Sequence, residues 1–166
     1  VTYGNDASIE YLYDNARRLT SIKHLNAVGA VILRQDYGYD DRDLPTSISE
    51  SDATGVVAST TFEYDARGRL YYENRSGQNP YKFDYSYDLG GNRLTKVDYF
   101  NLHTTVYHYD IEDPCRYESN NNRLEYYEVI DTAAEPDALV STTYYYYTKK
   151  GNVERVVTEE ESPSEL

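Results

Sequence analysis

Neither methionine nor tryptophan occurs in these 166 residues, and there is a single cysteine, Cys115. One cysteine cannot close an intrachain disulfide, so no covalent staple holds the fold. A lone thiol of this kind reads as packed or exposed, not as a nucleophile. Phenylalanine is down to 3 residues. No apolar run approaches the roughly 20 residues that a membrane-spanning helix needs, so no membrane insertion is expected. No signal peptide is visible. A chain that starts at Val1 and lacks methionine throughout is expected to be a processed product, an internal fragment or a sequence read without its start. Basic residues are scarce as well: 16 Lys and Arg face 29 Asp and Glu, for a net charge of −13 and a pI near 4.5. Phosphate recognition needs clustered Lys and Arg, which argues against nucleic acid as a partner. It argues equally against an anionic membrane surface.

What the chain has in excess is tyrosine, with 21 residues. Ordinary cores are built from Leu, Ile, Val and Phe. Here tyrosine is expected to supply much of the buried area, at roughly 150–250 Å² per ring. Each buried ring also brings a hydroxyl that needs a partner, which suits a sheet with backbone groups close by.

The tyrosines are ordered. One pattern recurs: an aromatic, any residue, Tyr, Asp, two variable residues, Gly, Arg, Leu. The cleanest copy is Phe62, Tyr64, Asp65, Gly68, Arg69 and Leu70. A second is Tyr85, Tyr87, Asp88, Gly91, Arg93 and Leu94, with one extra residue assigned to its turn. The first copy is Tyr11, Tyr13, Asp14 and Leu19, with Arg17 in the Gly slot. Another is Tyr37, Tyr39 and Asp40, with Asp43 in the Gly slot and Leu44 in the Arg slot. Tyr107, Tyr109 and Asp110 form the fifth, whose Arg123 and Leu124 follow an insertion from Ile111 to Asn122. The sixth is Tyr145, Tyr147 and Gly151, with Thr148 for Asp and Val153 for Leu. The first five acids are spaced by 26, 25, 23 and 22 residues, which is the mark of a repeat protein.

The chemistry of one unit follows from the pattern. Tyr-x-Tyr puts two rings on one face of a strand, because side chains alternate with period two. The Asp that follows can accept hydrogen bonds from turn amides two residues on. Gly supplies the positive φ that a short bulged hairpin requires. Where Arg17 and Asp43 replace it, the turn is expected to be strained or differently built. A second set of turns lies between units, at Asn26–Gly29, Ser51–Gly55 and Ser76–Pro80. Strand-like runs rich in β-branched residues surround them, at Ala30–Arg34, Val56–Thr61 and Thr104–Val106. Ile22–Gln35 could also be read as an amphipathic helix, but its Val28-Gly29 centre favours a hairpin. The fold class predicted is therefore all-β, with tandem antiparallel hairpins. Residues 1–157 hold six repeats, and the acidic stretch 158–166 is a flexible tail.

These residues resemble the RHS/YD (tyrosine-aspartate) repeat family, whose motif reads Tyr-x-Tyr-Asp-x-x-Gly-Arg-Leu. The resemblance runs from about Ile9 to Val157. It implies a continuous sheet of hairpins that spirals into a hollow shell, as in bacterial toxin carriers and teneurin-like cell-surface proteins. It also implies secretion or cell-surface display. Six hairpins are fewer than a closed shell of this kind would need, and an open array leaves an unpaired strand at each edge. The partners expected are therefore flanking repeats of the same array or further copies of the chain, joined end to end as a filament or tube.

No catalytic constellation emerges, and no cofactor is implied. His24 stands alone, while His103 and His108 have opposite strand parity and face apart. Asp36, Asp40, Asp41 and Asp43 could offer oxygens to Ca²⁺, but the glycine of an EF-hand loop is missing, and solvated turn carboxylates account for them. Acidic pairs are abundant, but nothing fixes two at a glycosidase separation. The chain is expected not to be an enzyme. Glycans are the other candidate partner, stacked on Tyr71-Tyr72, Tyr126-Tyr127 or Tyr144–Tyr147; cross-strand aromatic ladders explain the same residues. Asn74-Arg75-Ser76 is a candidate glycosylation acceptor on a predicted turn. Two readings follow: a structural shell or fibre segment, and a surface module that binds carbohydrate or protein.

Overall fold

The structure is a computed structural model, and it describes residues 4, 6–109, 123–134, 138–148 and 152–161. Twelve strands and no helix occur among them. They are β1 (Ser8–Tyr13), β2 (Leu19–Leu25), β3 (Val31–Tyr39), β4 (Pro45–Asp52), β5 (Gly55–Tyr64), β6 (Leu70–Gly77), β7 (Tyr81–Tyr87), β8 (Arg93–Asp98), β9 (His103–Tyr109), β10 (Leu124–Asp131), β11 (Ala138–Tyr147) and β12 (Val153–Glu160). The chain divides into two compact units, Val1–Lys82 and Phe83–Leu166, with the division inside β7. In each unit strand order follows chain order, and every pairing is antiparallel. Ile22–Gln35 forms parts of β2 and β3 around a turn, not a helix.

The first unit has two different faces, and the register defines them. Tyr11, Ile22, Gln35, Glu50 and Ala58 lie across from one another in one row, with Tyr37, Ile48, Thr60 and Arg75 in the next row of the same face. The opposite face carries Ser21, Asp36, Ser49, Ser59 and Ser76 in one row, and Gly38, Ser47, Thr61 and Asn74 in another. The motif tyrosines therefore share a face with the larger side chains, and small hydroxyl residues cover the reverse.

A tyrosine-built interior does not form. Ala58 is the only buried apolar residue among the described ones, and no large side chain is fully buried. Tyr13 is 61% exposed and Tyr11 45%. The reason is architectural. A sheet buries a face only against a second layer, and neither unit folds one over its own sheet. The rings are half-covered by their neighbours along and across the strands.

The first three residues of the stretch predicted as a flexible acidic tail, Thr158, Glu159 and Glu160, are strand. β12 continues to Glu160, with Thr158 opposite Thr143 and Glu160 opposite Ser141. The Thr143 and Thr158 hydroxyls meet at 2.9 Å, and β-branched Val156, Val157 and Thr158 favour the strand over the charge of the glutamates that follow. Residues 162–166 lie outside the described residues.

Candidate functional site

The hairpin loops at the motif acids share one construction. In the first, the Asp14 amide donates to the Arg18 carbonyl at 3.0 Å, and the Arg17 amide donates to the Asp14 carbonyl at 3.0 Å. The same pair of bonds recurs at Asp40, Asp65 and Asp88. This is a type I turn closed by one residue in the left-handed region. That residue is Arg17 (φ 64°), Asp43 (φ 64°), Gly68 (φ 78°) or Gly91 (φ 98°). Arg17 and Asp43 thus adopt the glycine conformation and leave the turn unchanged, so of the two expectations, a strained turn or a differently built one, the strained turn is the one found.

The aspartates hold these loops from within. One oxygen of Asp14 accepts from the Ala16 amide at 2.8 Å and the Arg18 amide at 2.9 Å. Asp40 accepts from Arg42 and Leu44 at 2.9 and 3.0 Å, and Asp65 from Arg67 and Arg69 at 2.8 and 2.9 Å. The second oxygen takes a side chain: Arg18 Nε at 2.7 Å, Arg42 Nε at 3.0 Å, Arg69 Nε at 2.7 Å, or Asn92 Nδ2 at 2.7 Å. These donors hold the carboxyls below the usual aspartate range. At Asp14 and Asp65 the backbone amide of the arginine four residues on acts most strongly. At Asp88 the Asn92 side-chain amide does. At Asp40 burial pulls hardest, and upward, but the Leu44 amide and Arg42 together outweigh it.

The fourth copy aligns differently from its sequence reading. Its loop is no longer than the others. Asn92 occupies the Arg slot, its amide 2.8 Å from Asp88 Oδ1. Arg93 stands opposite Tyr87, where Leu19, Leu70 and Leu124 stand opposite Tyr13, Tyr64 and Tyr109. Leu94 is displaced to the next position and is 40% exposed. Arg93 lies over the Tyr85 ring at 4.4 Å and the Tyr107 ring at 5.9 Å, so a cation between rings takes over from an aliphatic contact.

Between repeats the tyrosines do what the sequence did not reveal. The Tyr39 hydroxyl donates to the Leu19 carbonyl at 2.7 Å. The Tyr64 hydroxyl donates to the Pro45 carbonyl at 2.8 Å, and the Tyr147 hydroxyl to the Leu124 carbonyl at 2.7 Å. In each case the second tyrosine of one repeat is tied to the residue that opens the return strand of the repeat before it. Arginines brace the same joints. Arg18 lies 5.0 Å over the Tyr39 ring, and Arg123 lies 5.4 Å over Tyr147. Arg18 also reaches Asp43 at 2.7 Å, and Arg42 reaches the Asp65 carbonyl at 2.8 Å. Burial beside these partners pushes the Tyr64 phenol up, with Asp40 and Glu73 adding to it.

Other predicted positions are spread along the sheet. Phe62 lies on β5 opposite Glu73. Asn74 is not on a turn: it sits within β6 opposite Thr61, because the bend waits until Gln78 and Asn79 (φ 51°). Asp110, Gly151 and Cys115 lie outside the described residues. In the second unit, Tyr107, Tyr127 and Tyr145 form a ladder on one face, with ring centroids 5.9 and 6.3 Å apart. On the reverse face His108 stacks on Tyr126 at 4.1 Å, and Tyr126 meets Tyr144 at 5.6 Å. His108 Nε2 lies 3.0 Å from Glu128. Among the described residues no three His, Cys, Asp or Glu side chains converge in a way that could hold a metal ion.

The turn expected at Asn26–Gly29 is present, and its construction is that of the motif loops. Asn26 builds the same turn at the opposite end of the strands: its Oδ1 accepts from Val28 at 3.1 Å and Ala30 at 2.9 Å, and Gly29 has φ 79°. The sequence reading placed the turn but not its likeness to the motif loops, although Asn26 and Gly29 repeat the Asp-x-x-Gly spacing with an amide for the acid.

A comparison with protein families matches the RHS Repeat model to residues 39–70. No curated protein matches the chain's sequence. Among solved structures, a Tc holotoxin pore from Photorhabdus luminescens, in a variant of its TccC3 component, aligns at 14% identity with a TM-score of 0.50, covering 94% of this chain and 9% of that one. A crystal structure of TcdB2-TccC3-TEV aligns at 13% identity with a TM-score of 0.49, covering 96% of this chain and 11% of that one. The chain therefore spans about a tenth of the length of the structures it matches. The segment that matches the RHS Repeat model, residues 39–70, runs from the Tyr39 joint through the loops at Asp40 and Asp65 to Leu70.

Proposed function

We propose that this chain is a structural segment of an extracellular RHS-type β-shell, and that its repeats enclose and do not catalyse. The observation that carries the reading is the repeated joint from Tyr39 to Leu19, from Tyr64 to Pro45 and from Tyr147 to Leu124. A joint made to the preceding repeat in the same way by three copies is a rule for extension, and extension without a second layer suits a wall. The RHS repeat at residues 39–70 supports the same role. Flanking repeats are the natural partners, because β1 and β12 each pair on one side only among the described residues. The test is electron microscopy of the natural protein that carries this chain. A hollow particle with these strands in its wall is expected. A compact particle without a lumen would overturn the reading, and a rod that lengthens with concentration would replace the shell with a filament of copies joined at those edges.

A surface module that binds carbohydrate is the second reading. It draws on exposed rings, with Tyr71 at 41% and Tyr146 at 39%. Glycan-array binding lost on Tyr71→Ala or Tyr146→Ala would favour it.

A further inference from the structure

The paired rings on the reverse face of the second unit suggest chemistry beyond architecture. We propose that Tyr126 and Tyr144 are a dityrosine cross-linking site: a covalent rivet between β10 and β11 formed by a peroxidase with hydrogen peroxide. The inference does not rest on the shell reading.

Four observations converge on this pair. Tyr126 and Tyr144 are direct cross-strand partners, with ring centroids 5.6 Å apart and planes inclined by 35°. Side chains directly opposite on antiparallel strands have Cβ atoms about 4.5–5.5 Å apart, within the span of a biaryl bond between two rings. An exposed ring lies on the same face: Tyr146 is two positions along β11 from Tyr144 and 39% exposed, and because Arg155 lies 4.2 Å over it and disfavours an electron vacancy there, a vacancy formed at Tyr146 passes inward to the Tyr144–Tyr126 pair. The chain holds 21 tyrosines but no tryptophan and no methionine, so Cys115 is the one other readily oxidised side chain that competes for oxidising equivalents. With one cysteine, it also has no intrachain disulfide with which to lock strands.

The surroundings select this pair over the ladder on the other face. Tyr107 and Tyr127 are 5.9 Å apart, but the Arg93 guanidinium lies 5.9 Å from the Tyr107 ring and opposes removal of an electron from it. Tyr126 has the opposite environment: His108 stacked at 4.1 Å is paired with the Glu128 carboxylate. Negative charge there favours oxidation of the ring, and the His108–Glu128 couple offers a proton acceptor beside it.

The step balances. Each tyrosine gives up one electron and its hydroxyl proton, leaving two phenoxyl radicals. One ortho carbon of each ring joins in a new C–C bond. The hydrogen on each joined carbon then moves to its oxygen, restoring both phenols. Two hydrogen atoms leave the protein overall, and hydrogen peroxide accepts them as it is reduced to two molecules of water.

The experiment treats the dilute full chain with peroxidase and hydrogen peroxide, then digests it and identifies cross-linked peptides by mass spectrometry and dityrosine fluorescence. The main product expected joins Tyr126 to Tyr144 within one chain, lighter by two hydrogen atoms, at a yield that does not change with protein concentration. Tyr126→Phe and Tyr144→Phe each abolish it, while Tyr127→Phe, on the opposite face, leaves it in place. Circular dichroism before oxidation checks that the variants keep their sheet. The wild-type chain supplies a second measurement, because the product should vanish in denaturant, where the pair is separated. Products between other tyrosines with Tyr126–Tyr144 absent, a yield that rises with concentration, or a product that persists in denaturant would each overturn the assignment.

Discussion

The Tyr64 hydroxyl donates to the carbonyl of Pro45 at 2.8 Å, so the second tyrosine of one repeat is fastened to the first return-strand residue of the repeat before. Proline cannot donate to a sheet ladder, but its carbonyl is free to accept, which is why Pro45 can stand where leucine stands in other copies. Tyr64→Phe keeps the ring and removes only the bond. A hydrogen bond of this kind is worth about 1 kcal/mol net. Tyr64→Phe and Tyr39→Phe are each expected to lower stability by about that much in chemical denaturation, with an unchanged dependence on denaturant. No loss in either would mean that the joint is incidental to stability.

Arg17 and Asp43 hold φ near +64°, a conformation that costs an ordinary L residue roughly 1–2 kcal/mol. Arg17→Gly is expected to raise stability by up to about 1 kcal/mol, part of the relief being lost to the greater freedom of glycine when unfolded. Asp43→Gly should gain less or lose. Aspartate tolerates the left-handed region better, and the change removes the 2.7 Å contact with Arg18. Melting curves of the two variants, compared side by side, check the contrast.

Turn amides and side-chain donors hold the carboxyls of Asp14, Asp40, Asp65 and Asp88 below the usual aspartate range. A depressed folded pKa stabilises the fold at any pH above the unfolded value, and that contribution disappears as pH falls through the folded value. Stability should therefore be flat near neutrality and drop on acidification below about pH 5. Asp65→Asn tests the origin, since Asn26 shows that an amide oxygen can close the same turn. At pH 7 the variant should keep its sheet, and its acid-induced loss should be smaller than that of the parent. An unchanged acid profile would place the titrating groups elsewhere.

Much of this was legible in the residues, and the misses have a common cause. Tyr-x-Tyr-Asp fixed the strand faces and the loop ends because period-two alternation and turn chemistry are local. Local spacing also gave the Asn26–Gly29 turn, and only its likeness to the motif loops was masked by the exchange of acid for amide. The slot taken by Arg93 was not legible: Gly90, Gly91 and Asn92 admit two alignments, and only the pairing of Tyr87 with Arg93 decides between them. Nor was the destination of the tyrosine hydroxyls, which bond to carbonyls some 20 residues away. The expectation of a tyrosine-built interior failed for a related reason. Residue type indicates what a side chain would bury, but whether a second layer exists to bury it is set by topology.

The shortest and least exposed ion pair among the described residues of the first unit lies on the tyrosine face. Arg75 reaches Glu50 at 2.5 Å, with 15% and 20% of their side chains exposed. Glu50 also accepts from Gln35 at 3.2 Å, and Arg75 touches Thr60 at 3.3 Å. The guanidinium beside it holds the Glu50 carboxyl below the usual range, with burial opposing. Truncating one partner of such a pair leaves the other charge partly desolvated and alone. Arg75→Ala is therefore expected to cost about 2 kcal/mol, less than the 3–5 kcal/mol of a fully buried pair because some water still reaches Glu50. Arg75→Ala with Glu50→Gln should recover part of that loss, since the stranded charge is gone. The measurement is a double-mutant cycle at low and high salt. If the single change costs no more than an exposed surface pair, or if added salt removes its effect, the network is a surface ornament, and the stability of this face must come from the half-buried rings alone.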